Sequence, residues 1–175
     1  MESASFESEE KLRRELIAIL LSASKSPVPT RIKFQKELFL LTRSFPKFEK
    51  LFPFTAYRFG PYSSNAEAIL ENNDELFIED KYGIHLTDSG KRLQEKAEST
   101  MSPNNREMLR KVSEMISTIC QNMNDEELMY LIYTTYGYEK HSDIYQHLYE
   151  KRETIAKRLY NKGIISYQKY QELLE

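Results

Sequence analysis

The sequence predicts a mainly α-helical chain with a small β-hairpin, and three observations lead there. A strand-like run, Phe54-Thr-Ala-Tyr-Arg-Phe59, breaks at Gly60-Pro61 and reopens as a capped helix. The stretch Glu75-Leu-Phe-Ile-Glu-Asp-Lys-Tyr-Gly-Ile-His-Leu-Thr87 reads as two short β-segments around a turn. The segments before and after carry apolar residues at helical spacing. The order is therefore helix, helix, strand, helix, β-hairpin, helix, which is the order of a winged helix. Residues 1–100 are expected to form this winged-helix domain and residues 101–175 a helical extension, with the boundary near Ser99 to Asn105.

The first helix is expected from about Ser8 to Ala23, with Leu12, Leu16, Ile19 and Leu20 on one face and Glu9/Arg13 and Glu10/Arg14 as i,i+4 pairs. Ser26-Pro-Val-Pro29 stops it. Thr30 caps a second helix through Arg43, in which Phe34, Leu38 and Leu41 form the buried stripe and Lys33, Lys36 and Arg43 project to nearly the opposite side. After Phe59, Gly60 frees the backbone and Pro61 blocks continuation of the strand, while Ser64-Asn-Ala-Glu67 reads as a capping box for a helix to about Asn72. Ala68, Ile69 and Leu70 supply its inward side. Alternation in Leu76-Phe-Ile78 and Ile84-His-Leu86, joined by Asp80-Lys-Tyr-Gly83, gives the candidate wing, and Thr87 caps the next helix to about Ser99.

Beyond Pro103 the pattern is helical throughout. Met108, Val112, Met115, Ile116 and Ile119 recur at helical spacing and read as core. Asn124 or Asp125 caps a segment with Leu128, Leu131 and Ile132; His141 or Ser142 starts another through about Lys162, stopped by Gly163; Ser166 starts a last short one. The aromatic residues divide the chain in the same way. All nine Phe lie at or before Phe77, whereas nine of the twelve Tyr lie at or after Tyr130. Phe suits a dry core, and Tyr buries a ring while keeping its hydroxyl wet, which suits semi-exposed packing surfaces; the extension reads as a packed helical appendage or a dimerisation element.

Composition narrows the function. A chain of 175 residues, 30% of them charged, fits one core of ordinary size or a small domain with an appendage. Its longest early apolar run, Ile17 to Leu21, is far short of the roughly 18 residues a membrane span needs, and the acidic N-terminus lacks the basic region of a signal peptide, so a cytoplasmic protein is expected. The single cysteine, Cys120, allows neither an intrachain disulfide nor a cysteine-based zinc site. No phosphate loop or nucleophile elbow occurs, His141 and His147 stand i,i+6 apart, and His85 is a lone strand histidine. No catalytic residue, metal site or cofactor is expected. The net charge of -2 is unevenly spread: residues 1–60 carry +4, residues 61–100 carry -5 and residues 101–175 carry -1.

The segments Arg31-Ile-Lys-Phe-Gln-Lys-Glu-Leu-Phe-Leu-Leu41, Tyr57-Arg-Phe-Gly-Pro-Tyr-Ser63 and Leu86-Thr-Asp-Ser-Gly90 resemble the YwgA-like proteins over about residues 10–98, and more distantly the Panacea antitoxin family. Glu126-Glu-Leu-Met-Tyr-Leu-Ile-Tyr133 is similar to the helical tail of the same group. The resemblance implies a winged helix and a regulator of transcription or an antitoxin.

Two partners remain open. A DNA complex would use Arg31, Lys33, Lys36, Arg43 and Arg58, with Ser63 and Asn65 reaching phosphates or bases; Ser63 and Asn65 also read as helix caps, and the basic helix face as ordinary solvated surface. Against DNA stands the run Phe59 to Asp80, which holds no Lys or Arg but six carboxylates, although duplex affinity is dominated by phosphate neutralisation. A protein adaptor would instead use the acidic helix 64–72, with Glu67 and Glu71, and Tyr133, Tyr145 and Tyr149 of the C-terminal helices, and would form a homodimer or a hetero-complex. Those tyrosines equally suit the edge of a helical core.

Overall fold

The computed structural model describes residues 2–139 and 142–175, with side chains from Glu7 onward. The protein is mainly helical, with two small antiparallel hairpins. The chain separates into two compact units. One comprises the residues up to Phe54 together with Ser63–Thr118; the other comprises Thr55–Tyr62 and Ile119–Glu175. The division falls inside a long helix instead of at residues 99–105, and it assigns the hairpin before residue 63 to the second unit.

The first unit is organised around α1 (Glu2–Ser22). Leu16 to Leu21 are buried without interruption, so this part of the helix is apolar all round. Upstream, Leu12 is exposed, contrary to its expected place on the inward face, while Arg13 takes the interior position and its Nε donates to the Leu51 carbonyl at 2.7 Å. The expected Glu9–Arg13 and Glu10–Arg14 pairs form at 3.0 and 3.8 Å. Helix α2 (Arg31–Ser44) starts where expected, the Thr30 side chain accepting from the Lys33 amide at 3.1 Å.

Helix α3 (Ser64–Glu71) is capped by Ser63, one residue before the expected capping box. The reason lies in α2. Gln35 Nε2 donates to the Ser63 carbonyl at 3.1 Å and the Ser63 amide donates to Gln35 Oε1 at 3.0 Å, fixing Ser63 as the last non-helical residue. Ala66 and Ile69 face inward; Ala68 is exposed and Leu70 half-buried, a correction to the inward trio expected.

Strands β3 (Phe77–Asp80) and β4 (Gly83–Leu86) pair in antiparallel register, Phe77 opposite Leu86 and Asp80 opposite Gly83, around the two-residue loop Lys81-Tyr82. Val28, in the connection between α1 and α2, adds a third rung: its amide donates to the Ile84 carbonyl at 2.9 Å and its carbonyl accepts from the Ile84 amide at 2.8 Å. Gly83 permits this approach, with φ of 120° and Val28 oxygen only 2.4 Å from where a Cβ would stand. Thr87 caps α4 (Asp88–Ser99), accepting from the Gly90 amide at 3.0 Å and donating to the Glu75 carbonyl at 2.6 Å.

Helix α5 (Pro103–Gln121) overturns one expectation. Its buried residues are Leu109, Ser113, Ile116, Ser117 and Cys120. Met108, Met115 and Ile119, read from the sequence as core, are exposed, and Val112 is half-buried. Two of the buried residues are serines, and the Ser117 and Ser24 hydroxyls share a hydrogen bond of 2.8 Å.

In the second unit, β1 (Thr55–Tyr57) and β2 (Gly60–Tyr62) form a hairpin around Arg58-Phe59, with Tyr57 opposite Gly60. Gly60-Pro61 was expected to end extended structure. It begins the return strand instead, because Gly60 adopts φ of 85° and a two-stranded ribbon has free edges that tolerate proline. Among the described residues, four helices follow: α6 (Asp125–Tyr136), α7 (Tyr145–Glu150), α8 (Arg152–Asn161) and α9 (Tyr167–Glu172). A capping box joins Asn124 and Glu127, and Gly137 and Gly163 lie at positive φ after α6 and α8. The single helix expected from residue 141 or 142 to 162 is two helices that meet at Lys151. His141 lies outside the described residues.

Gly90 offers a test, since its missing Cβ would stand 2.2 Å from the Leu76 carbonyl oxygen, a backbone atom with no freedom to retreat. Alanine normally strengthens a helix interior by roughly 0.5–1 kcal/mol over glycine. Here Gly90→Ala should reverse that sign and destabilise by more than about 1 kcal/mol, read as a lowered midpoint in urea unfolding followed by circular dichroism.

Candidate functional site

The most connected charged cluster of the first unit gathers on Arg31, the first residue of α2. Its guanidinium donates to Glu67 of α3, to Glu79 of β3 at 2.7 Å and to Glu71 of α3 at 3.2 Å. Bonds to Glu79 and Glu67 raise the Arg31 pKa above even the ordinary arginine value. Gln35, one turn on, donates to Glu67 at 3.2 Å as well as holding Ser63. One cation therefore ties the start of α2 to α3 and the β3–β4 hairpin. Three carboxylates around one guanidinium leave the cluster at formal charge -2, and the Glu71 and Glu79 side chains remain 57% and 44% exposed. Asp74, Glu75 and Asp80 are exposed nearby in sequence. At the β3–β4 turn, Lys81 lies over the Tyr82 ring at 4.9 Å, and Asp80 faces His85 at 3.8 Å.

The expected basic face of α2 is not formed. Lys33 is 8% exposed and Lys36 2%, because α2 is buried around nearly its whole circumference from Lys33 to Phe39, not along one stripe. Long aliphatic stems make such burial tolerable. Arg43 is exposed and pairs with Glu49 at 3.0 Å; Arg58, in the second unit, is exposed and lies 3.6 Å from Asp143. Ser63 is fully buried as the α3 cap, and Asn65 is half-buried. Of the residues assigned to a nucleic-acid footprint, Arg31 sits among carboxylates and only Arg43 and Arg58 present exposed cations.

The tyrosines assigned to a protein contact are drawn together in the second unit. Tyr145 lies 6.4 Å from Tyr130, 6.3 Å from Tyr133 and 6.0 Å from Tyr149, ring centre to ring centre. Tyr133 is fully buried, which corrects its expected place on a contact surface; Tyr145 and Tyr149 are half-buried, and Arg152 covers the Tyr149 ring at 4.3 Å. Burial pushes the Tyr130 phenol up to about 12 and raises Tyr133 and Tyr145. The Tyr130 hydroxyl donates to the Leu173 carbonyl at 3.0 Å, so this cluster binds α9 to α6. Buried Glu127 of α6 meets Lys162 at 2.6 Å and Arg158 at 3.1 Å, and neighbouring Glu126 meets Lys151 at 2.7 Å, which lowers the Glu126 pKa.

Three further residues went unassigned in the sequence. Gln35 and Glu79 complete the Arg31 cluster, and no local pattern marks a cross-element hydrogen bond. Glu37 was legible: it stands three residues after Phe34 and four before Leu41, hence beside the apolar stripe. It is fully buried, neither carboxyl oxygen has a hydrogen-bond partner among the described residues, and burial raises its pKa to about 8 against the opposing pull of Lys33. No group of three or more His, Cys, Asp or Glu among the described residues could hold a metal ion, and none of their helices is long and apolar enough to cross a membrane.

Comparison with protein families, curated proteins and solved structures finds no match to this chain.

Two outcomes follow from these charges. Replacing Arg31 by Met leaves Glu67, Glu71 and Glu79 facing one another; stability should fall by about 1–2 kcal/mol at low ionic strength and by less in high salt, measured by urea unfolding at both. For Glu37, the unfolded carboxyl ionises near 4.5 and the folded one near 8, so the folded state holds an extra proton between those values. The associated stability is complete below pH 4.5 and lost as pH rises through about 8. Glu37→Gln should remove of order 3–5 kcal/mol of that decline, seen as a flatter plot of unfolding free energy against pH.

Proposed function

We propose that this chain is a non-enzymatic regulatory binding protein whose first unit is a winged helix, and that its α3 and wing surface meets a basic protein segment and not duplex DNA. The order α1, α2, α3, β3–β4, α4 and the Val28 rung beside β4 support the winged-helix reading. The motifs that resemble the YwgA-like and Panacea families support a regulator or antitoxin. The choice of partner rests on one observation: Arg31, the cation that bridges α3 and the wing, is enclosed by Glu67, Glu71 and Glu79. A duplex phosphate brought to that face would meet a surface of formal charge -2, whereas duplex affinity comes chiefly from neutralised phosphates and released counterions. A lysine- or arginine-rich segment would find two partly exposed carboxylates already oriented by Arg31, with little side-chain freedom left to lose.

A titration of fluorescently labelled duplex at several salt concentrations tests this reading. The expected result is weak binding without sequence preference, unchanged by Glu71→Gln or Glu79→Gln. Tight, steeply salt-dependent binding that Arg43→Glu abolishes would restore the DNA reading.

A further inference from the structure

We propose that the open cleft between the end of α1, the α1–α2 connection, β4 and α4 binds a free α-amino acid with an aliphatic side chain. The cleft holds about 470 Å³, inside the roughly 300–1,000 Å³ of small-molecule sites. Its walls are fixed by hydrogen bonds of the fold itself: the Val28 rung on Ile84 joins the α1–α2 connection to β4, and the Thr87 cap starts α4 directly after that strand. Leu21, Pro27 and Ile84 supply apolar lining, and Lys25 and Glu95 supply one charge of each sign.

The ligand class follows from those two charges. Lys25 is exposed and meets no carboxylate among the described residues, and Glu95 is exposed and meets no cation among them. A helical glutamate usually pairs with a lysine or arginine three or four positions away. Lys91 and Arg92 stand at those positions, but Lys91 reaches Asp88 at 3.2 Å and Arg92 donates to Ser89 at 2.8 Å. Nor do Lys25 and Glu95 pair with each other, although both line the cleft. The other ionisable side chains of the lining are already matched, Lys91 by Asp88 and His85 by Asp80 at 3.8 Å. A simple anion entering here would be drawn by Lys25 and repelled by Glu95, and a simple cation the reverse; a zwitterion satisfies both. In an α-amino acid the carboxylate and the ammonium leave one carbon, the flexible stems of Lys25 and Glu95 reach toward them, and an aliphatic side chain covers Leu21, Pro27 and Ile84. This cleft shares no residue with the acidic α3 surface, and its failure would leave the proposed partner of that surface untouched.

A two-dimensional amide NMR titration of the isotope-labelled full chain with L-leucine tests this. Saturable shifts should appear at residues 21–27 and 84–86, with a Kd of roughly 0.1–10 mM, the affinity that so few contacts give. Isocaproate, which is leucine without its amino group, and isopentylamine, which is leucine without its carboxylate, should each bind at least tenfold more weakly. In Glu95→Gln, leucine and isocaproate should become equivalent; in Lys25→Met, leucine and isopentylamine should. Both replaced side chains are exposed, so far-ultraviolet circular dichroism should stay at wild-type values. Glu71→Gln, in the acidic cluster, should leave leucine binding unchanged. Absence of saturable shifts in wild type up to about 50 mM leucine overturns the proposal. So do shifts that fall outside the cleft, or equal binding of leucine and its two single-charge analogues by wild type.

Discussion

The contact between Arg31 and its carboxylates sets the arrangement of the first unit's polar side. Helix α3 has eight residues and buries only Ala66 and Ile69, too little apolar surface to fix its orientation by itself. Gln35 fixes its start through both backbone groups of Ser63, and Arg31 fixes its exposed side through Glu67 and Glu71 while reaching Glu79 on the wing. A short helix and a two-stranded flap are thereby held by a longer helix that is itself buried. The hydrophobic stretch of α1 supplies the driving force, and the hydrogen bonds of Arg31 and Gln35 supply the register. These bonds are partly screened, so their contribution is greater to geometry than to net stability.

The same arrangement explains how acidic residues can dominate this surface. Carboxylates crowded on a short helix repel one another, yet Glu67, Glu71 and Glu79 share one guanidinium, which offsets that repulsion while leaving an excess of negative charge. Charge and fold are therefore coupled. The residue that would serve as a phosphate contact in a basic surface is here the organiser of an acidic one.

Legibility from the sequence followed the range of the interactions concerned. Thr30, Thr87, Ser166 and the wing turn at Asp80-Lys-Tyr-Gly83 act over three or four residues, and each was found where its local chemistry placed it. The strand formed by Gly60-Pro61-Tyr62 was hidden because glycine and proline signal both an end and a hairpin return. The cap at Ser63 depended on Gln35, 28 positions earlier. Helix α5 carries two adjacent apolar stripes, and periodicity ranks them by hydrophobicity; the buried one contains Ser113 and Ser117, which such a ranking passes over. Lys33 and Lys36 were read as wet because charge usually is, whereas α2 is enclosed on nearly all sides. The cluster around Arg31 was visible only as an unexplained excess of glutamate downstream.

The uneven distribution of aromatic side chains also gives each unit its own optical signature. The chain has no tryptophan, and eleven of its twelve tyrosines fall in the second unit, leaving Tyr82 of the wing as the sole fluorophore of that type in the first. Tyrosine emission therefore reports almost entirely on the second unit, while the helix signal in the far ultraviolet sums over both. If the two units melt at different temperatures, the two traces will separate without any label being introduced.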